Sequence, residues 1–171
     1  MMTSLKYKNK TLTCSQSDVV EFNEGTVTIT DPSYDHDVFN KIEGLSIVPG
    51  HYSCSVYSLN GQPYVIRIVL DKPDAKKTVA GNHAWHSIGK VATDTGTLGV
   101  FQNKPDFSTK MMHRLNFINQ RTRAEVWSNN VYKNNPRGFV FGCGDNPPIN
   151  TYDVKACTKN HRAFALEIRL A

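Results

Sequence analysis

The segment Tyr52-Ser53-Cys54-Ser55-Val56-Tyr57-Ser58-Leu59 alternates strictly, which places Tyr52, Cys54 and Val56 on one face of an extended strand. Asn60-Gly61 follows at once, the dipeptide favoured in a two-residue type I′ turn because both central residues need positive φ. Tyr64-Val65-Ile66-Arg67-Ile68-Val69-Leu70 then returns with the β-branched and aromatic content of an antiparallel partner. A hairpin alone is marginal in water, so a chain committed to this one needs further strands to cover it.

Those strands are legible on both sides of the hairpin. Thr26-Val27-Thr28-Ile29-Thr30 alternates and is stopped by Asp31-Pro32, and Leu45-Ser46-Ile47-Val48 is stopped by Pro49-Gly50. Ile88 to Ala92 and Leu98 to Phe101 read as short strands flanking Asp94. Thr151 to Cys157 and Arg162 to Leu170 read as a closing hairpin turning at Lys159-Asn160, with Phe164, Leu166, Ile168 and Leu170 on one face. Met111, Leu115 and Ile118 recur at helical spacing, which predicts a helix from Ser108 to Trp127 capped by Asp106 or Ser108. Short helical turns are expected after Asp35, and Asp71 to Gly81 reads as a polar connection. With no internal repeat or low-complexity linker, the pattern predicts one β-rich domain over residues 1–171. Its fold class is mainly β: an antiparallel sandwich or partly open barrel with one helix packed beside the sheet.

Composition narrows the surroundings. At 171 residues, with 39% hydrophobic and 20% charged residues, the chain has the make-up of a globular domain able to bury a core without staples. The longest apolar run, Tyr64 to Leu70, is broken by Arg67 and falls far short of the roughly 18 residues that span a bilayer, so no membrane partner is expected. Met1 to Lys8 is basic but has no apolar stretch behind it, which predicts a cytoplasmic chain without a secretory signal. Cys14, Cys54, Cys143 and Cys157 lack C-x-x-C spacing, which disfavours zinc and redox pairs. Buried free thiols are expected, and two disulfides stay open.

Three short elements carry the candidate chemistry: Asp31-Pro32-Ser33-Tyr34, Thr93-Asp94-Thr95-Gly96-Thr97 and Gly142-Cys143-Gly144-Asp145. Each is placed to follow a strand, so Asp31, Asp94 and Asp145 can reach one end of a sheet. Converging carboxylates suit a hard cation such as calcium or magnesium. A small polar ligand would draw in Tyr34, Thr95, Gly96 and Gly144 as well, the glycines because main chain can approach a ligand closely there. The competing reading is that each aspartate only hydrogen-bonds its own turn.

In order, these elements resemble a family of uncharacterised bacterial and phage proteins. That family carries Asp-Pro-x-Tyr, a Gly-x-Tyr/Trp strand, Asp-Ser-Gly-x-x-Gly-x-Phe and Ser-Gly-x-Gly-Asp-Gly-x-Tyr motifs before a closing hairpin. Here they are matched by Asp31-Pro32-Ser33-Tyr34, Gly50-His51-Tyr52, Asp94-Thr95-Gly96-Thr97-Leu98-Gly99-Val100-Phe101 and Phe141-Gly142-Cys143-Gly144-Asp145, between about Thr26 and Leu170. After Asp145 the chain departs, with Asn146-Pro147-Pro148 in place of Gly-x-Tyr. The resemblance implies a mostly β fold and no particular reaction.

The expected function is therefore a non-enzymatic binding or accessory module for a small ligand or a protein partner. One alternative is a homodimeric aspartic hydrolase, since Asp94-Thr95-Gly96 is similar to the aspartic-protease triplet and Phe139-Val140-Phe141-Gly142 supplies its accompanying apolar-apolar-glycine element. Lys90 and the lack of a second half-repeat speak against it. A second alternative uses the net charge of +5 and pI of about 9.0: Lys110, Arg114, Arg121 and Arg123 lie in one stretch suited to phosphates. No nucleic-acid-binding motif accompanies them, so nucleic acid is not the favoured partner. His83-Ala84-Trp85-His86 reads as a loop with Trp85 packed on the sheet, and Cys143 as a buried thiol rather than a nucleophile.

Overall fold

Asn60 and Gly61 have φ of 52° and 80°, the left-handed pair of a type I′ turn, and the strands on either side pair antiparallel from Tyr52↔Leu70 to Leu59↔Gln62. Around that hairpin the computed structural model describes residues 3–32, 41–81, 84–93, 95–102, 114–118, 123–127, 137–144 and 151–171. In chain order these form β1 (Ser4–Tyr7), β2 (Lys10–Phe22), β3 (Thr26–Thr30), β4 (Ile42–Ser46), β5 (Gly50–Leu59), β6 (Gln62–Leu70), α1 (Pro73–Ala80), β7 (His86–Ala92), β8 (Thr97–Phe101), β9 (Ala124–Trp127), β10 (Gly138–Gly142), β11 (Thr151–Lys159) and β12 (Arg162–Arg169).

Two antiparallel sheets result. The larger runs β1-β2-β5-β6-β12-β11-β7 and the smaller β4-β3-β8-β10-β9. Their facing sides make the main core: Ile29, Leu98, Val100, Phe139 and Phe141 from the smaller sheet meet Tyr52, Val56, Ile66, Ile68 and Ile168 from the larger, all buried. The closing hairpin forms as expected between β11 and β12, with Asn160 and His161 at positive φ. The strands flanking Asp94 exist but do not pair with each other. β7 hydrogen-bonds β11 and β8 hydrogen-bonds β3 and β10, so the turn between them carries the chain from one sheet to the other.

The helix expected from Ser108 to Trp127 is corrected. Among its described residues only 114–118 are helical, while Ala124–Trp127 is strand β9 paired with β10. Arg123 N donates to Ile118 O at 3.0 Å, just before the chain enters β9. Leu115 and Ile118 cover the far face of the smaller sheet, burying Phe101, Val140 and Trp127. Phe101 lies flat there over its cross-strand partner Gly138, where an added Cβ would stand 2.5 Å from the ring and 2.8 Å from Val100 O. The helix beside the larger sheet is instead α1, within the stretch expected to be a polar connection. It starts on Pro73 and buries Ala75 and Val79 against β6 and β12. The helical turns expected after Asp35 lie outside the described residues.

β2 joins the two sheets by a polar device. Gln16 Oε1 accepts from Ala124 N at 3.2 Å and Gln16 Nε2 donates to Ala124 O, so one side-chain amide completes the backbone pairing of β9 at the sheet edge. No helix among the described residues is long and apolar enough to cross a membrane.

Candidate functional site

Antiparallel pairing brings the three sequence motifs to one end of the smaller sheet. β3 runs out at Asp31, its neighbour β8 begins at Thr97, and β10 ends at Gly142 opposite Thr97. Cys143 N donates to Gly96 O at 2.7 Å, tying the third motif to the second. Asp31, Thr95, Gly96 and Gly144 are thus gathered at this end, while Tyr34, Asp94 and Asp145 lie outside the described residues.

Asp31 is the hub of that end. It is only 2% exposed, and its Oδ2 accepts from Thr93 Oγ1 at 2.5 Å and Thr95 Oγ1 at 2.7 Å. Thr93 has one hydroxyl proton, and the short contact assigns it to Asp31. Its lone pairs then accept from the Thr95 and Gly96 amides, both at 3.1 Å. This fixes the turn, and Gly96 at φ 77° supplies the left-handed residue it needs. Asp31→Ala would leave two half-buried hydroxyls without their charged acceptor, and is expected to cost about 1–2 kcal/mol by urea denaturation. Asp31→Asn, which keeps an acceptor oxygen, is expected to cost roughly half as much; equal losses would show that charge does not matter there.

Beside Asp31 lies Cys143, 1% exposed. Burial, with a smaller contribution from the Asp31 charge, pushes its thiol far above the ordinary range, so it stays protonated and is not an activated nucleophile. Its partner Tyr152 is pushed up to about 12, chiefly by burial. Thr97 Oγ1 is buried at the same end with no hydrogen-bond partner among the described residues. Among the described residues no group of three or more His, Cys, Asp or Glu side chains is placed to hold a metal.

The basic stretch is partly spent internally. Arg114 Nε donates to both Glu125 carboxylate oxygens at 2.8 Å, and the guanidiniums of Arg114 and Arg123 lie 4.9 and 5.3 Å from the Phe117 ring centroid. Lys110 and Arg121 lie outside the described residues. Trp85 packs on the sheet as expected, and His86 is exposed at the start of β7.

A second site, not anticipated from sequence, lies on the outer face of the larger sheet. Registers across five strands align Ser17, Ser55, Arg67, Glu167 and Lys155 in one row. Ser55, Arg67 and Glu167 are 6%, 6% and 1% exposed, although their face points away from the main core. The sheet curls over them. Trp85, just before β7, stacks 5.1 Å from the Arg67 guanidinium on β6 although β12 and β11 intervene, a span of roughly 14 Å in a flat sheet. Glu167 accepts from Arg67 Nε at 2.8 Å and from Arg169 Nε at 2.6 Å.

Next to this triad the curl leaves a bowl of about 310 Å³. Ser17, Ser55 and Arg67 form its floor, Ser53, Tyr57 and Val69 its sides, and Lys76 and Val79 of α1 its wall. The signal in the sequence was Arg67 itself, a charge in mid-strand of an otherwise apolar run, with Glu167 as its counterpart in the last strand. No family model, curated protein or solved structure matches this chain.

Proposed function

We propose that the protein is a non-enzymatic binding module whose small polar ligand sits in the bowl on the curled sheet. The observation that carries this reading is the bowl's construction: a preformed concavity with a buried arginine and serine hydroxyls on its floor and valines beside them. Small-molecule sites typically occupy about 300–1,000 Å³ and combine apolar walls with a few placed polar groups, and this bowl sits at the lower end of that range. Its floor is rigid sheet, which suits recognition without rearrangement.

The test is a set of ¹H–¹⁵N spectra of the full chain with a panel of neutral, cationic and anionic small molecules. At least one class is expected to perturb the Ser55, Val69 and Val79 amides together. Ser53→Trp, at a half-buried position on the bowl's side, is expected to fill the space and abolish that response. A panel that leaves all three amides unmoved overturns the reading.

The loop end supports a second reading, a calcium or magnesium ion or a polar ligand at the three motifs. It is favoured by the meeting of Asp31, Thr95, Gly96 and Cys143 at one end of the smaller sheet and by the buried Thr97 hydroxyl, which has no hydrogen-bond partner among the described residues. A rise in melting temperature on adding either ion to chelator-treated protein supports it, and an unchanged melt removes the ion. The aspartic-hydrolase alternative draws on the pairing of Gly142 with Thr97, which sets the apolar-apolar-glycine element next to the triplet. It requires a two-fold dimer through Asp94, so a monomer in sedimentation equilibrium ends it. Phosphate binding by the basic stretch is the weakest proposal, because Arg114 is already engaged by Glu125.

A further inference from the structure

We infer that the bowl is an oxyanion site, taking the carboxylate or phosphate group of a small organic ligand on the Arg67 guanidinium. The inference rests on the binding-module reading above and specifies its ligand class.

The first argument is charge. Two guanidiniums, Arg67 and Arg169, share the single carboxylate of Glu167, the acid within ion-pair distance of either among the described residues. The buried triad therefore carries one excess positive charge, and Arg67 is its member on the bowl floor. At the rim stands Lys76, which pairs with Asp71 at 2.5 Å in an exposed setting. Among the described residues no carboxylate lines the bowl. In the low dielectric of a partly buried site such an excess is felt more strongly than on an open surface.

The second argument is the donor inventory. A guanidinium has five N–H donors in a planar fork. Arg67 spends its Nε on Glu167 and rests one face on Trp85, and among the described residues neither Nη group makes a hydrogen bond. Glu167 and Trp85 hold the fork in place, so little freedom remains to be lost when an anion binds. Ser17 and Ser55 stand beside Arg67 in the same row; the Ser17 hydroxyl can turn its proton toward an oxyanion, and Ser55 can do so by giving up its hydrogen bond to Tyr57. A planar carboxylate or two oxygens of a phosphate match the paired Nη donors, which a neutral amide or alcohol does not.

The third argument is the apolar lining. Val69 and Val79 offer apolar surface within the same small volume. An anion carrying a compact apolar body therefore fits better than a bare ion.

The experiment titrates the full chain at low ionic strength with benzoate, benzamide, phenyl phosphate and inorganic phosphate. It follows the Arg67 Nε resonance, the Ser55 and Val69 amides, and Trp85 fluorescence. Benzoate or phenyl phosphate is expected to bind at least about tenfold more tightly than benzamide, since charge-assisted bonds to the fork are the difference. Arg67→Lys is expected to weaken the anion about tenfold or more, because an ammonium cannot reproduce the bidentate contact. Should Arg67→Lys fail to fold, Ser53→Trp removes the volume without touching the ion pair and is expected to abolish the response. Phenyl phosphate preferred over benzoate identifies a phosphate ester and the reverse a carboxylic acid, whereas inorganic phosphate binding as well as phenyl phosphate overturns the organic-ligand part of the inference. Benzamide binding as well as benzoate overturns the oxyanion inference while leaving the bowl a binding site. Anion binding unchanged in both variants places it elsewhere and also overturns the inference, and silence from every probe overturns it as well, leaving the wider panel above to decide whether the bowl binds any ligand.

Discussion

Glu167→Ala is expected to destabilise the protein by about 3–5 kcal/mol, which would unfold many domains of this size. The carboxylate is 2% exposed and the Arg67 side chain 7%, so removing the acid leaves a guanidinium that cannot reach bulk water. Arg169 suffers less, because its side chain is 28% exposed and can turn outward. Loss of a buried partner, rather than loss of attraction, sets the size of the effect. That distinction is testable in one cycle. Arg67→Met combined with Glu167→Leu removes both charges and fills the same space with apolar groups, and is expected to recover most of the loss, to within about 1–2 kcal/mol of the parent. If the double variant is as unstable as Glu167→Ala, the deficit comes from packing and the unpaired-charge account fails. The double variant should also lose the anion response of the bowl while staying folded. A structure that keeps a buried ion pair replaceable by hydrocarbon is consistent with retention for binding rather than for stability.

How far this arrangement was legible in the sequence depends on the distance over which each interaction acts. The β5–β6 hairpin was readable because Asn60-Gly61 fixes both its turn and its register within a few residues. The closing hairpin was readable for the same reason. The clustering of Asp31, Thr93 and Thr95 was partly readable, since strand-ending turns are local, although their meeting depends on β3 pairing with β8. Residues 114–118 carry a true helical period, but the sequence does not mark where it yields. The pull there is tertiary: Trp127 packs 5.8 Å from Phe101, and Ala124 is held by Gln16 from another sheet. α1 was overlooked because only Ala75 and Val79 turn inward, too few to stand out from a charged stretch, although Pro73 at its start was a usable signal. Polar positions on β2 hid its alternation in the same way. The ion triad was least accessible. Arg67 and Glu167 are one hundred residues apart, and only the order β6-β12 makes them neighbours.

Raising the pH from 7 to 10 is expected to lower folding stability by about 4 kcal/mol, from three thiols that the fold keeps neutral. Cys54 and Cys143 are buried, and burial, with the charges of Asp18 and Asp31 respectively, pushes each far above its ordinary value near 9.0, while burial raises Cys157 to about 11. Below that value folded and unfolded chains both hold the protons, and stability does not depend on these groups. Above it the unfolded chain releases them and the folded chain does not, so the unfolded state binds fewer protons and stability falls with pH. The slope is about 1.4 kcal/mol per pH unit for each thiol. Tyr152, pushed up to about 12, steepens the fall once the ordinary phenol value of 10.0 is passed. Urea midpoints measured between pH 7 and 10.5 give the curve directly. Cys143→Ala creates a small cavity and lowers the whole curve, but its diagnostic is the slope, expected to drop by about a third between pH 9 and 10. Stability that stays flat to pH 10, or a slope unchanged in Cys143→Ala, would mean these thiols ionise within the fold. The hydroxyl-held Asp31 would then sit beside a thiolate, and Cys143 would regain the nucleophilic role that its burial denies it.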